Sequence, residues 1–589
     1  MPKTDLVLLH APSVYDFRKE SILYGPVSDL VPSTPVFEMY PIGFTTMAEY
    51  LERRGFRVRI VNLAYRMLKN RRFDAEKAIR RLKPKAFGID LHWMPHAHGA
   101  IKVAELVKKH HPDKPTIFGG FSSSFFHEEL IARPEVDFVI RGDSTEEPLN
   151  LLMQHIASPN DGPALADIPN LTWKDADGQA CVNPLTYSPP NLDHVLLDYS
   201  YVVKAVARYR DMAGFIPFED WLRYPVTAAL SCRGCIHDCN TCGGSVTTMQ
   251  NVYGRQEIAF RSPEALAHDV RSIARWSRAP VFVLGDIRQA GMDYAYKFLD
   301  LVKGVNDQLM FEVFGPAPRE FLAKMAEAAP NFTLELSPES HDERVRAAFG
   351  RHYSNAGMER TIEESLAVGC QRFDLFFMIG LPEQTYDSVM GTVDYCEYIM
   401  EKFNSDTDNP RVIPFISPFA PFLDPGSKVF MDPEPYGYRM IHRTLEEHRQ
   451  ALVQPSWKYV LNYETKWMNR DEIVKATYQA ALRFNKIKAR YGLISQMQAD
   501  ATQARIKKAI QLSRQVDEIM AIQDETRRQK LLQAIKPQVD TANMSTVCDK
   551  RELEVPMGLL KLNIPQAAWM FLSDTARDLL GRKRKAGTR

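Results

Sequence analysis

The sequence predicts an α/β protein in three parts: a doubly wound parallel sheet, a partial barrel of six strand–helix units, and a helical C-terminal region. Three observations predict it. Short apolar runs alternate with amphipathic helical segments over residues 1–155, the pattern of buried parallel strands joined by helices. A second series of such units runs from about Pro225 to Ser427. After Pro433 the chain turns to long stretches rich in Ala, Gln, Lys, Arg and Ile with few breakers. The resulting parts are 1–155, a linker at 156–220, a barrel at 221–430 and helices at 431–589. A chain of 589 residues has room for three or four domains of about 150 residues each.

Asp5–His10 is an apolar run suited to a buried strand, and Phe44–Arg54 is a helix that Gly55 stops. Arg57–Leu63, Ala86–Asp90, Pro115–Gly119 and Val136–Ile140 read as four more strands. Helical patterns over Ala97–Lys109, Phe126–Ala132 and Glu146–Ile156 separate them. Five strands alternating with helices make a flavodoxin-like sheet whose ligand sits beyond the carboxyl ends of the strands. The residues at those ends are the binding candidates: Pro12 and Ser13, His92, Gly119, Gly120 and Ser122, then Arg141 and Gly142. Paired glycines let a backbone approach a bulky ligand closely. A flavodoxin-like module that has lost its ligand and only packs on its neighbour shows the same pattern.

In the middle third the strands are Val226–Leu230, Val281–Leu284, Leu309–Phe314, Thr333–Leu336, Phe373–Ile379 and Val412–Ser417. The helices are Pro263–Trp276, Tyr294–Val302, Pro318–Ala328, His341–Ala348, Gly357–Val368 and Tyr386–Phe403. Six units form an incomplete TIM-type barrel, whose active groups gather at the carboxyl ends of the strands. Pro418, Pro421 and Pro425 argue against helix after the sixth strand, which places Phe415–Gly426 over the barrel mouth. Its phenylalanines, with Phe376, Phe377 and Met378, are either core or an apolar wall for an apolar or lipid-like substrate. Tyr436–Val453, Arg470–Tyr491 and Ile494–Ile535 read as helices that cap the barrel.

Composition removes several classes. With 74 basic against 73 acidic residues and a net charge of +1, nothing global draws the chain to nucleic acid. No apolar stretch reaches the roughly 18 residues of a membrane span. Met1-Pro-Lys-Thr-Asp runs straight into a strand, so no signal peptide is expected. Eight cysteines in this length do not make a disulfide scaffold, and a reducing cytoplasm fits. Pro565–Leu580, carrying Trp569, Met570 and Phe571, precedes a basic run at Arg582–Lys585. It is either a docked terminal helix with a soluble tail or a peripheral contact with an anionic membrane.

Half of the cysteines lie in one run, Cys232-Arg-Gly-Cys235-Ile-His-Asp-Cys239-Asn-Thr-Cys242, on the loop after the first barrel strand. Thiolates ligate iron–sulfur clusters, and a 4Fe-4S cube has four irons. Cys235, Cys239 and Cys242 would leave one iron open to a small molecule, as an open position marks a catalytic metal site. A closed electron-transfer cluster would add Cys232 as fourth ligand. A four-cysteine zinc site normally separates its pairs by about 12–20 residues, against three here.

The Arg233-Gly234-Cys235 entry, the Cys-x3-Cys-x2-Cys spacing and Arg261-Ser-Pro-Glu264 at the start of the next helix resemble the radical S-adenosylmethionine (SAM) enzymes. Thr241 stands where that family commonly has an aromatic residue. The resemblance implies that SAM chelates the open iron of a 4Fe-4S cluster and is cleaved on reduction to methionine and a 5′-deoxyadenosyl radical. It implies further SAM contacts at three strand ends. Gly285 and Asp286 would lie near the methionyl amino group, and Glu339 and Ser340 near the ribose and amino-acid part. Gly380 and Pro382, in Gly380-Leu-Pro-Glu-Gln-Thr385, would lie near the adenine.

The sheet ahead of such a core resembles the cobalamin-binding domain of the cobalamin-dependent, class B-type radical SAM enzymes. That implies cobalamin as a further cofactor, with its nucleotide tail beside Gly119-Gly120. The family's Asp-x-His-x-x-Gly motif is absent from the first loop. Asp90-Leu-His92 is a fragment of it after the third strand, where His92 either approaches cobalt or lines the pocket. The resemblance as a whole implies C-methylation of an unactivated carbon, supported by an external electron donor of flavodoxin or ferredoxin type. Cyclisation or carbon–carbon bond formation, for example on a lipid, is the enzymatic alternative. A non-catalytic cobalamin and iron–sulfur sensor is the alternative from another class.

Overall fold

In a computed structural model the chain is described over residues 4–25, 34–197, 199–418, 422–543, 550–554, 563 and 565. The N-terminal sheet holds β1 (Leu6–His10), β2 (Val58–Asn62), β3 (Ala86–Asp90), β4 (Thr116–Gly119) and β5 (Phe138–Ile140). They run parallel in the order 2-1-3-4-5. Every residue of β1 and β3 is buried, as expected of central strands covered by helices on both faces. The strand order reverses between β1 and β3, which opens the ligand crevice beyond His10 and Asp90.

The linker over 156–220 does more than connect. β6 (Leu171–Lys174) and β7 (Ala180–Val182) continue the sheet antiparallel. Tyr201, Ala205 and Tyr209 of the helix Tyr199–Tyr209 join the core under that sheet. Two strands of four and three residues are too short to show a period. The helix expected over Phe126–Ala132 is found as His127–Ile131, and a further short helix, Phe121–Phe125, precedes it.

The barrel follows. β8 (Thr227–Leu230) leads into β9 (Cys232–Arg233), which pairs antiparallel with β10 (Ala259–Phe260). β11 (Val281–Leu284), β12 (Leu309–Val313), β13 (Thr333–Glu339), β14 (Arg372–Ile379) and β15 (Val412–Pro418) complete a six-stranded parallel sheet in the order 8-11-12-13-14-15. Alternation sorts the side chains, because successive residues of a strand face opposite ways. Val281, Val283, Phe311, Leu334, Leu336, Phe373, Leu375 and Phe377 enter the core beneath the helices. Phe377 is therefore core, not pocket wall. Phe376 instead stacks on Phe415 at 5.0 Å, and Phe422 is core as well.

Ser262 caps the helix Pro263–Ala274, with Pro263 in its first turn. A side chain that accepts a first-turn N–H stabilises a helix by about 1 kcal/mol. Beyond the barrel, the helix expected over Tyr436–Val453 is interrupted. Gly437 adopts a left-handed conformation (φ 74°), β16 (Tyr438–Met440) pairs antiparallel with β17 (Tyr463–Thr465), and helix resumes only at Leu445–Ala451. A side chain at Gly437 would meet the Trp467 ring at 2.4 Å, so the turn is fixed by packing. Arg470–Arg490, Gln496–Met520 and Glu525–Ala542 then form three helices, the last begun by an Asp524 cap. Trp569, Met570, Phe571, the basic run and the membrane contact expected of them lie outside the described residues. No described helix is long and apolar enough to cross a membrane.

Candidate active site

The cysteine loop leaves β8 at the carboxyl mouth of the barrel. Side-chain hydrogen bonds, not sulfurs, hold its course. The Asn240 side chain donates to the Ala348 carbonyl at 2.7 Å, Thr247 donates to Asp238, and the Gly243 N–H donates to Asp424 at 2.8 Å. Two N–H groups point at sulfur: His237 N to Cys235 Sγ at 3.4 Å and Gly244 N to Cys242 Sγ at 3.3 Å. Such donors stabilise thiolate charge and tune iron–sulfur clusters. Burial pushes the Cys239 thiol up to about 11 and the Cys242 thiol up to about 12, while Arg351 pulls Cys239 back. The free loop therefore holds thiols, and iron must displace their protons.

Among the described residues no three His, Cys, Asp or Glu side chains converge on a single metal ion. A tetrahedral zinc site requires that convergence, whereas a cube gives each thiolate its own iron. The donor set fits a cluster. Cys232 is set apart in β9, where a side chain at Gly285 would come within 3.0 Å of its sulfur.

The strand ends around the loop carry polar side chains, among them Arg351 and Glu312, which sequence reading missed. Glu339 closes β13 with φ 63°, a strained conformation of the kind that clusters at functional sites. Its side chain is 2% exposed, its Oε2 has no partner, and burial pushes its carboxyl up to about 7. Arg351 lies 3.8 Å from it, with an unpartnered Nε. This long ion pair beside the cysteine loop, with Glu339 Oε2 unmet, offers opposite charges to a zwitterionic ligand. Ser340 is committed to structure, because its carbonyl takes the Arg346 guanidinium at 2.7 Å. Asp286 likewise pairs with Arg288 at 2.6 Å and accepts the Phe314 N–H. The Gly285 N–H goes instead to Glu312 of β12. At the Gly380-Leu-Pro382 turn, Gln384 accepts the Gly380 and Leu381 N–H groups, and a side chain at Gly380 would strike the Tyr463 hydroxyl at 2.5 Å.

Below the mouth, the register sets Glu312, Glu335 and Asp374 side by side on β12, β13 and β14. Burial pushes Glu335 up to about 8, with Asp374 and Glu312 adding to the effect. Arg372 pairs with Asp374 at 2.8 Å. The barrel interior is thus acidic on one side and aromatic, through Phe376 and Phe415, on the other. Glu312 and Asp374 are each the lone carboxylate of their strand, and Glu335 shares β13 only with Glu339 at its end, a signal the sequence did carry.

At the sheet, His10 and Asp90 end the two strands that flank the crevice and bond to each other at 3.0 Å. Burial opposes ionisation of Asp90, but His10 and His92 outweigh it and hold the carboxyl well below its usual range. His92 donates through Nδ1 to the Asp90 carboxylate at 2.7 Å and stays 29% exposed. Its ring lies 4.9 Å from that of His96, which is itself 4.8 Å from His10. A carboxylate on one ring nitrogen fixes a histidine and frees the other nitrogen for a metal, so the site fits a cobalt-bearing ligand at His92. Pro12 and Ser13 are buried, with the Ser13 N–H donating to Val36. Gly119 ends β4, and Ser122 is buried in the following turn. Gly142 donates its N–H to Ser124. Arg141 reaches to the Asn183 carbonyl beyond β7.

Gly120 (φ 114°) is the tightest of these positions, since a side chain there would sit 2.4 Å from His92 Cα. Gly120→Ala is expected to cost about 2–5 kcal/mol through the wrong φ and the overlap. Chemical denaturation checks this, and an unchanged midpoint would contradict it.

Three contacts join the sheet to the barrel mouth. Arg233, two residues before Cys235, donates to Glu146 at 2.6 Å and to Ser144 at 3.0 Å. Arg255 pairs with Asp143 and donates to Ser144 at 3.2 Å. Asp424 accepts from Gly243 beside Cys242 and from the Trp93 side chain beside His92. The ligand edge of the sheet therefore lies over the cysteine loop.

Two family models match this arrangement: the B12 binding domain over residues 30–152 and the radical SAM superfamily over residues 230–396. The chain thus carries a B12-binding domain followed by a radical SAM domain. It is similar to the anaerobic magnesium-protoporphyrin IX monomethyl ester cyclase of Rubrivivax gelatinosus, at 22% identity over 36% of this chain and 35% of that one. It is similar as well to the hopanoid C-3 methylase of Methylococcus capsulatus, at 23% identity over 48% of this chain and 50% of that one. It thus aligns with between a third and a half of the length of these curated relatives. The radical S-adenosylmethionine methyltransferase TsrM from Kitasatospora setae, solved with tryptophan substrate and a SAM analogue, shares the fold. Its TM-score is 0.51 at 14% identity, over 74% of this chain and 78% of that one.

Proposed function

We propose that the protein is a cobalamin-dependent radical SAM methyltransferase acting on an unactivated carbon. One observation carries the reading: Arg233 of the cysteine loop and Arg255 after the next helix hold the sheet's ligand edge against the barrel mouth, which supports two cofactor sites facing one space. When bound, the cluster supplies reductive cleavage of SAM and cobalamin supplies a transferable methyl group. The chain's own residues bind, orient and shield. Cys235, Cys239 and Cys242 hold the cluster. Arg351 and Glu339 answer the carboxylate and amino ends of SAM, Glu312 holds the Gly285 turn beneath it, and the Gly380-Leu-Pro382 turn lines the adenine side. His92, Gly120 and the Pro12–Ser13 loop line the corrin crevice.

The substrate occupies the barrel interior between the acidic and aromatic sides, and an electron donor of flavodoxin or ferredoxin type works with the enzyme in a reducing cytoplasm. Similarity to a cyclase supports ring formation as the second reading. Anaerobic purification with iron and cobalt analysis tests the cofactors. Reduction in the presence of SAM and the true substrate then separates the chemistries: methylation is expected to yield S-adenosylhomocysteine together with deoxyadenosine. Deoxyadenosine alone, with cobalamin bound, would overturn methylation in favour of ring formation.

A further inference from the structure

We propose that a cavity behind the cysteine loop binds a phosphate-bearing ligand, with Arg141 as its anchor. The cavity, of about 750 Å³, lies between the turn after β4 on one side and the helix Val246–Tyr253 with residues 426–436 on the other. Its wall includes Ser124, His127, Arg141, Asn251, Lys428 and Tyr436. That volume suits a small molecule or a large piece of one.

Arg141 gives the ligand its charge. The residue is 6% exposed. One guanidinium N–H donates to the Asn183 carbonyl, and Nε has no partner. Glu128 acts on Arg141 electrostatically, but no ion pair involving Arg141 forms among the described residues. A guanidinium has five donors in a planar fork, and a buried cation without an anion is costly. The fork matches a phosphate in bidentate fashion. Lys428, already paired with Asp238 of the cysteine loop, adds a second cation on the facing wall, and Asp432 is the wall's one carboxylate. The phosphate has two sources: the phosphodiester of cobalamin's nucleotide tail, or a phosphorylated substrate or effector. The inference stands on this cavity and is independent of whether the chemistry is methylation.

The test uses the full-length, cobalamin-free protein, with inorganic phosphate as the probe and chloride at equal ionic strength as the control. Phosphate is expected to raise the unfolding midpoint of the wild type. Arg141→Gln is expected to weaken that response at least about tenfold in concentration. Arg141→Lys keeps the charge without the fork and covers the case in which the glutamine variant does not fold; it too is expected to weaken phosphate. Equal phosphate dependence in wild type and variants, or none in the wild type, would overturn the proposal. Cobinamide, which lacks the nucleotide and its phosphate, separates the sources. If Arg141→Gln weakens cobalamin but not cobinamide, the ligand is the cofactor's own phosphate. If it weakens neither while the phosphate response is lost, the ligand is a phosphorylated substrate or effector.

Discussion

Alanine in place of Cys235, Cys239 or Cys242, one at a time, is expected to abolish cluster assembly in a protein that still folds. The loop's course depends on Asn240, Asp238 and Gly243 rather than on its sulfurs, so loss of one thiol removes an iron ligand without removing the fold. Cys232→Ala is expected to keep the cluster, because that sulfur is packed beneath the Gly285 turn. Iron content and visible absorption after anaerobic reconstitution measure both. Retention of the cluster in the first three variants would sink the assignment, and its loss in all four variants would favour a closed cluster with Cys232 as fourth ligand. A direction with pH follows. Burial raises the Cys239 and Cys242 thiols to about 11 and about 12, so assembly displaces protons and should strengthen as pH rises from neutral. Assembly independent of pH would contradict that.

Glu146→Ala is expected to be the most costly single change at the junction of sheet and barrel. Glu146 is 1% exposed and Arg233 13%. Removing the carboxylate leaves a buried guanidinium without its anion, at about 3–5 kcal/mol. The pair also carries a pH signature. Burial opposes ionisation of Glu146, but Arg233 outweighs it and holds the carboxyl at about 2, below its ordinary value of 4.5. A carboxyl depressed on folding contributes stability that is full above the unfolded value and is lost as pH falls through the folded one. The window therefore runs from about pH 4.5 down to about pH 2, and its size is about 3 kcal/mol. Denaturant midpoints of wild type and Glu146→Gln across that range should converge as pH falls. Parallel curves would show that the pair does not hold the junction.

Much of the fold was legible because its strands are buried on both faces and read as plain apolar runs. Ala86–Asp90, Val281–Leu284 and Tyr386–Phe403 have the predicted bounds. β6 and β7 were not legible, since three or four residues with exposed positions carry no period. The interruption near Tyr436 turns on Gly437 and its fit against Trp467, a tertiary contact that outweighs local helix preference. The cysteines were visible through spacing alone. The histidine group was not: His10 and Asp90 stand 80 residues apart, and only the 2-1-3 strand order brings them together. Arg351 illustrates the same limit, because its approach to Glu339 exists only once β13 and the turn after Phe349 are packed. Glu312, Glu335 and Asp374 could have been found, as acids at lumen-facing positions of largely apolar strands.

The central claim is that three thiols leave one iron for SAM. Electron paramagnetic resonance of the anaerobically reduced protein, recorded before and after addition of SAM, tests it most directly. The account predicts a reduced 4Fe-4S signal whose g values shift when SAM is added, in the wild type and in Cys232→Ala alike. A signal indifferent to SAM, from a cluster that needs Cys232, would contradict it.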